Sequence, residues 1–375
     1  MARARHSQAL ALLALIACAC HAAPVDPPET LEALVAQEAG GLVENRVVVG
    51  AAAGVITPAS EGTWYFGRTR KGDGPAPDAD TLFEIGSVTK TFTGILLAAM
   101  QLAGEAAATD PLQACLPEGV TAPKYGDREI TLRELATHAS GLPRMPDNFG
   151  RDADPYARYT SKKLYDFLNA HELRRAPGVE FEYSNLAVGL LGHALARRAG
   201  KDYESLVIER ICQPLGMGET VLHTRESRVA RVAQGHSLSL DLPGVKRFTE
   251  KAPWTWDVLG PCGGLRSTLP DMMKFLAAAM GRESPLKEAM ALSQQPLFPF
   301  AENTSTALCW HVSRDPGARR TLIWHNGETG GYHAFLGFYQ ETGTGVVILS
   351  NTATDKVDAA AVRILKGIEK LPGGA

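Results

Sequence analysis

The chain has 375 residues, 45% of them hydrophobic and 21% charged, with a formal net charge of −3. That length allows one large or two interleaved domains with ample core. The mild acidity and the lack of a Lys/Arg cluster argue against nucleic acid as a partner.

The first residues, "MARARHSQALALLALIACACHAAPVD", carry a basic start (Arg3, Arg5), nine apolar residues from Ala9 to Ala17, and then small residues. This is the layout of a secretory signal peptide, and the apolar run falls short of the roughly 20 residues that span a bilayer. Residues 1–22 are therefore expected to be removed, giving an exported, periplasmic protein of formal charge −5. Leu15-Ile16-Ala17-Cys18 offers a second exit, similar to a bacterial lipobox. A lipidated Cys18 would be the chain's one attachment to a membrane. Cys115, Cys212, Cys262 and Cys309 remain in either case, and four thiols allow three pairings among which sequence does not choose. None has zinc-site spacing and no HExxH pair occurs, so no metal is expected.

"PETLEALVAQEAGGLVENR" has helical spacing, and "RVVVGAAAGVI" and "EGTWYFGRTR" read as strands. "VTKTFTGILLAAMQLAG", residues 88–104, is a strongly apolar helix preceded by Gly86 and Ser87. Further helices follow. "ITLRELATHASGL" opens with a Thr131/Glu134 capping box. After it come "SKKLYDFLNAHEL", "LAVGLLGHALARRAG", "YESLVIERICQPLGM" and "RSTLPDMMKFLAAAM". "RTLIWHN", "YHAFLGFYQ" and "TGVVILSNT" return to strands before a last amphipathic helix, "DKVDAAAVRILKGIEKL". The pattern predicts an α/β (α+β) fold. Its largely antiparallel sheet is built from both termini (about 23–85 and 299–375), flanked by helices, with a large helical insertion over about 86–298.

Two Ser-x-x-Lys sequences occur. In Ser284-Pro285-Leu286-Lys287, proline follows the serine at a helix start, so Ser284 is expected to be a cap. Ser87-Val88-Thr89-Lys90 opens a helix too apolar for the surface, where a first-turn lysine is costly unless its charge is used or paired. At i and i+3 the two side chains share a face, and a desolvated lysine can take the serine proton. Two further elements stand out: Tyr183-Ser184-Asn185 before a buried-looking helix, and His325-Asn326-Gly327 at a strand end. Each alone reads as an aromatic and a cap, or as a Gly-rich hairpin with an incidental histidine.

Taken in order, the three elements resemble the serine β-lactamase and penicillin-binding-protein superfamily, and more narrowly the class C β-lactamases with their D-Ala-D-Ala peptidase and esterase relatives. The resemblance runs from about residue 45 to 352 and includes "ITLRELATHASGLP", "PGVEFEYSNLAVGLLG", "PLGM" and "GGLRSTLPDMMKF". It implies that Ser87 attacks an amide or lactam carbonyl and becomes acylated. It also implies that Lys90 and Tyr183 share the proton transfers, and that Asn185 orients the substrate amide. The backbone N–H groups of Ser87 and Glu328 would form the oxyanion hole, with no cofactor.

His325 departs from the lysine usual at the start of the strand motif. As a partly protonated group it would be a weaker carboxylate anchor. Glu328 stands where a small residue is usual and adds negative charge there. The implied reaction is β-lactam hydrolysis first, with a D,D-carboxypeptidase/endopeptidase or esterase as the alternative. A penicillin-binding sensor that acylates without turnover is a further one. The expected partner is a small β-lactam or a D-Ala-D-Ala peptide, and the expected state is a monomer.

Overall fold

The computed structural model describes residues 28–150, 154–241, 245–315, 317 and 319–372; the leader expected over residues 1–22 lies outside them. Eight strands form one antiparallel sheet. They are β1 (Gly50–Ile56), β2 (Glu61–Gly67), β3 (Phe298–Ala301), β4 (Thr304–Thr306), β5 (His311–Asp315), β6 (Arg320–Glu328), β7 (His333–Tyr339) and β8 (Thr344–Ser350). Their order is β2-β1-β8-β7-β6-β5-β4-β3, so strands from the two ends of the chain meet at β1 and β8, with Gly54 opposite Val347.

The period-2 alternation of each strand divides the core. Ala51, Ala53, Val55, Val346 and Ile348 face the terminal helices, whereas Ala52, Ile56, Val347 and Leu349 face the helices of the long insertion. On the first side the helix of "DKVDAAAVRILKGIEKL" buries Val357, Ala360, Ala361, Ile364, Leu365 and Ile368, the i, i+3, i+4 stripe of an amphipathic helix. Burying each of its branched aliphatic side chains contributes about 1.5–3 kcal/mol, and an aspartate at Ile364 would forfeit that.

On the second side lie α1 (Thr89–Leu102), α2 (Asn185–Ala199) and α3 (Leu269–Ala279). The Thr131 capping box forms in full, with the Thr131 and Glu134 side chains each bonding the other's backbone N–H. Thr268 caps α3, and Pro270 lies in its first turn.

Two expectations need correction. The insertion is not helical throughout. Gly235–Asp241 and Val245–Lys251 form an antiparallel ribbon, which Thr352–Ala353 joins in parallel, and α3 packs directly on β1 and β8. The ribbon's first strand alternates at Ser237-Leu238-Ser239-Leu240, but its second, VKRFTEK, is mixed polar and lacks the apolar alternation that marks a half-buried strand. Ser284 is also not a side-chain cap. The helix Lys287–Ser293 starts after Leu286, the Ser284 carbonyl accepts from Lys287 N–H at 3.2 Å, and Ser284 Oγ has no hydrogen-bond partner. The four cysteines are buried and unpaired.

Candidate active site

Ser87 lies in a turn fixed from both sides. Phe83–Glu84 pairs antiparallel with Arg266–Ser267, and the buried Glu84 carboxylate accepts from Arg266 Nη2 at 2.8 Å and from Trp254 N–H at 3.0 Å. Burial pushes the Glu84 carboxyl up, and the Arg266 charge opposes that shift. The chain then makes a 3-10 turn, Gly86–Val88, that runs into α1. Gly86 has φ +51°, and a Cβ there would sit 2.7 Å from Glu328 N. A Cβ on Gly327 would sit 2.0 Å from Ile85 O and 2.7 Å from Ser87 N. The end of β6 therefore touches the turn backbone to backbone, bringing the N–H groups of Ser87 and Glu328 onto adjoining segments.

Capping does not explain Ser87, because neither the turn nor α1 receives a side-chain cap bond. Lys90 is fully buried, and its Nζ donates to Ser87 Oγ at 2.8 Å and to the Cys262 carbonyl at 2.5 Å. The 3-10 turn Gly260–Cys262 is clamped to α1 by a second bond, Thr93 Oγ1 to Pro261 O at 2.8 Å.

Tyr183 comes in from the start of α2, its ring centroid 5.0 Å from Lys90 Nζ. Ser184 caps that helix by accepting from Ala187 N–H at 2.9 Å, and its hydroxyl donates to the Pro143 carbonyl at 2.7 Å. Asn185 begins α2 and its Oδ1 is buried without a partner. His138, at φ +59°, stacks on Tyr183 with ring centroids 4.4 Å apart. Its Nδ1 accepts from Ser184 N–H at 3.1 Å, which puts the imidazole proton on Nε2.

His325 lies in the same polar core, its ring 6.4 Å from Tyr183 and 4.8 Å from His311. Its Nδ1 donates to the Asn326 carbonyl at 2.5 Å, while its Nε2 is buried and unpartnered. Burial holds His325 well below the usual imidazole range, helped by His311 and the Lys90 charge. Burial likewise takes His311 down to about 4 and His138 well below its ordinary value. Against the expectation of a partly protonated His325, burial here favours the neutral imidazole, which is a poorer partner for a carboxylate.

Asn326 and Glu328 carry their side chains to the opposite face of β6, as strand alternation requires. Asn326 Nδ2 donates to Asp358 Oδ2 at 2.6 Å, and Glu328 Oε2 lies 3.1 Å from His333 Nδ1. His333 Nε2 completes the group at 2.7 Å from Asp358 Oδ1. Ser87, Lys90, Tyr183, His325, Gly327 and the backbone of Glu328 thus come together around one turn, with Asn185 at the adjoining helix start. The Asn326 and Glu328 side chains do not join them.

Sequence reasoning left out His138, His311 and Arg144. His138 was in view within "ATHASGLP", where a histidine just past a short capped helix is a signal for a left-handed position. His311 carried no local signal. The exposed Arg144 guanidinium lies 5.2 Å from the Tyr183 ring centroid, and its backbone carbonyl accepts from Asn185 N–H at 3.0 Å.

A serine whose hydroxyl is held by a buried lysine beside a tyrosine, at the edge of an antiparallel sheet flanked by helices, defines a serine hydrolase. The beta-lactamase family model matches residues 33–368, and the chain belongs to that family, in its class C, AmpC-like branch. The chain is 28% identical over 343 residues to the D-alanyl-D-alanine-carboxypeptidase/endopeptidase AmpH of Escherichia coli (strain K12), covering 88% of this chain and 86% of that protein. It is 25% identical to a beta-lactamase of Pseudomonas fluorescens, over 83% of this chain and 90% of that one. Among solved structures it resembles the D-alanine carboxypeptidase AmpC from Burkholderia cenocepacia, at TM-score 0.74 and 27% identity, over 90% of this chain and 98% of that one. A class C beta-lactamase superposes with TM-score 0.75 at 21% identity, over 92% of this chain and 98% of that one, which shows the shared fold.

Proposed function

We propose that this protein is an exported D-alanyl-D-alanine-type peptidase that works through an acyl-enzyme on Ser87, and that β-lactams acylate the same serine. The observation that carries the nucleophile is the 2.8 Å bond between the fully buried Lys90 Nζ and the Oγ of Ser87, which stays partly accessible. In this reading Ser87 Oγ attacks the peptide carbonyl, and its proton passes through Lys90 and Tyr183 to the leaving amine as the C–N bond breaks. The N–H groups of Ser87 and Glu328 hold the oxyanion, and the unpartnered Asn185 Oδ1 accepts from the substrate amide. Water, activated by the same pair, then releases the acyl group.

The preference for a peptide over a lactam rests on similarity to the AmpH peptidase. Burial works against a charge on His325, which weakens anchoring of the carboxylate that both a D-Ala-D-Ala peptide and a β-lactam carry and so does not separate the two. A second reading, β-lactam hydrolysis, is favoured by the resemblance to beta-lactamases of Pseudomonas fluorescens and Yersinia enterocolitica.

The test is steady-state kinetics on a D-Ala-D-Ala peptide and a chromogenic cephalosporin, with mass spectrometry of penicillin-treated protein. A peptide turnover number above that for the cephalosporin, with the penicillin adduct on the Ser87 peptide, is expected. Faster cephalosporin turnover would favour the second reading, and an adduct elsewhere would remove both.

A further inference from the structure

The site lacks an accessible positive charge where one was expected, yet an accessible cation stands beside it. Lys90 is buried and engaged with Ser87 and Cys262, and His138, His311 and His325 are held neutral by burial. Arg144 is exposed, and no carboxylate pairs with it among the described residues.

The base of Arg144 is stitched in place. Its carbonyl accepts from the N–H groups of Asn185 and Leu186, at 3.0 and 3.2 Å, and the neighbouring Pro143 carbonyl accepts from Ser184 Oγ at 2.7 Å. These bonds fix the backbone of the residue against the start of α2, next to Asn185. Its exposed guanidinium lies 5.2 Å from the centroid of the Tyr183 ring, a cation–π distance that holds the side chain beside that catalytic candidate. An exposed guanidinium can offer its N–H fork to a carboxylate, the pairing that arginine makes best.

We propose that Arg144 selects substrates whose acyl portion, the part that stays on Ser87, carries a free carboxylate. The proposal rests on Ser87 being the nucleophile. It assigns the anion to the acyl side because the backbone of Arg144 is bonded to Asn185, the group that reads the acyl amide in the proposed function.

Two esters sharing the p-nitrophenolate leaving group separate the effects: p-nitrophenyl glutarate, with an anionic acyl chain, and p-nitrophenyl valerate, with a methyl in place of the carboxylate. The wild-type ratio of kcat/KM, glutarate over valerate, is expected to fall about fivefold in Arg144→Gln, the upper end for one ion pair near solvent. Arg144→Lys should recover part of it, and added salt should lower the wild-type ratio. The stitching bonds use backbone atoms, so neither substitution removes them. A ratio that changes less than twofold in Arg144→Gln overturns the proposal. Hydrolysis of both esters that survives Ser87→Ala is a separate failure, of the nucleophile itself.

Discussion

Strand β6 and its partner β7 place two buried histidines on opposite faces of one sheet, and their pKa values are pushed in opposite directions. On the site face, His325 meets other imidazoles and the Lys90 ammonium, so burial and neighbouring positive charge both expel its proton. On the back face His333 is buried as deeply, and burial again works against its charge. There the Asp358 carboxylate, its hydrogen bond and Glu328 overcome that cost and raise the pKa to about 9. Burial alone therefore does not decide the state of a histidine; what is buried with it does. One face is built to hold a lysine against a serine, the other to hold the strand against the C-terminal helix through Asn326, Asp358 and His333.

The sharpest way to separate the faces is to remove Lys90. In Lys90→Ala, acylation by penicillin is expected to slow by about 10²–10⁴-fold in a folded protein, because the serine loses the group that holds its hydroxyl and takes part in its proton transfer. Stopped-flow acylation with a circular-dichroism check decides this, and an unchanged rate would make Lys90 structural. On the back face the expected loss is of stability. Asp358→Ala strips His333 of its closest counter-charge and should cost about 3–5 kcal/mol, read as a lower urea midpoint. A cost below about 1 kcal/mol would mean that the back-face group is not an ion pair.

The pH dependence of stability should carry both signatures. An unfolded histidine titrates near 6.5. The His333 contribution is thus complete below about pH 6.5 and disappears as pH rises through about 9, an effect of roughly 3 kcal/mol. His311 behaves in the opposite sense: its folded value is about 4, so stability is full above about pH 6.5 and declines as pH falls toward 4. Urea midpoints from pH 4 to 10 should show both arms, and His333→Gln should flatten the alkaline one. An alkaline arm that survives this substitution would break the contrast. The smallest effect is expected for Glu328→Gln. That side chain is 52% exposed, so its pairing with His333 is screened, and its loss should cost under about 1 kcal/mol of stability.

The sequence showed more of the fold than of the site's electrostatics. Strand periodicity and turn residues located β1, β2, β6, β7 and β8, and the Thr131 capping box formed as spaced. Local chemistry is enough for such features. The ribbon of Gly235–Asp241 and Val245–Lys251 escaped because its second strand carries no apolar alternation, so the alternation of Leu238 and Leu240 had no evident partner. Ser87 and Lys90 were legible because a helix fixes their i, i+3 geometry. The charge of His325 was not legible, since it depends on His311 and Lys90, brought to it from another strand and from α1. Arg144 escaped for a similar reason, because its proximity to Tyr183 is made by the backbone bonds to α2.

The meeting of the two chain ends at β1 and β8 also has a consequence in time. Val49 N–H donates to Thr352 Oγ1, 303 residues further along the chain. A ribosome adding about 5–20 residues per second takes roughly 15–60 s to make that interval. For most of it, from Val88 to Arg320, the nucleophile turn exists without the strand that abuts it. Contacts of such long range also slow folding. The nascent polypeptide is thereby kept from closing its central sheet until the last strands have been made.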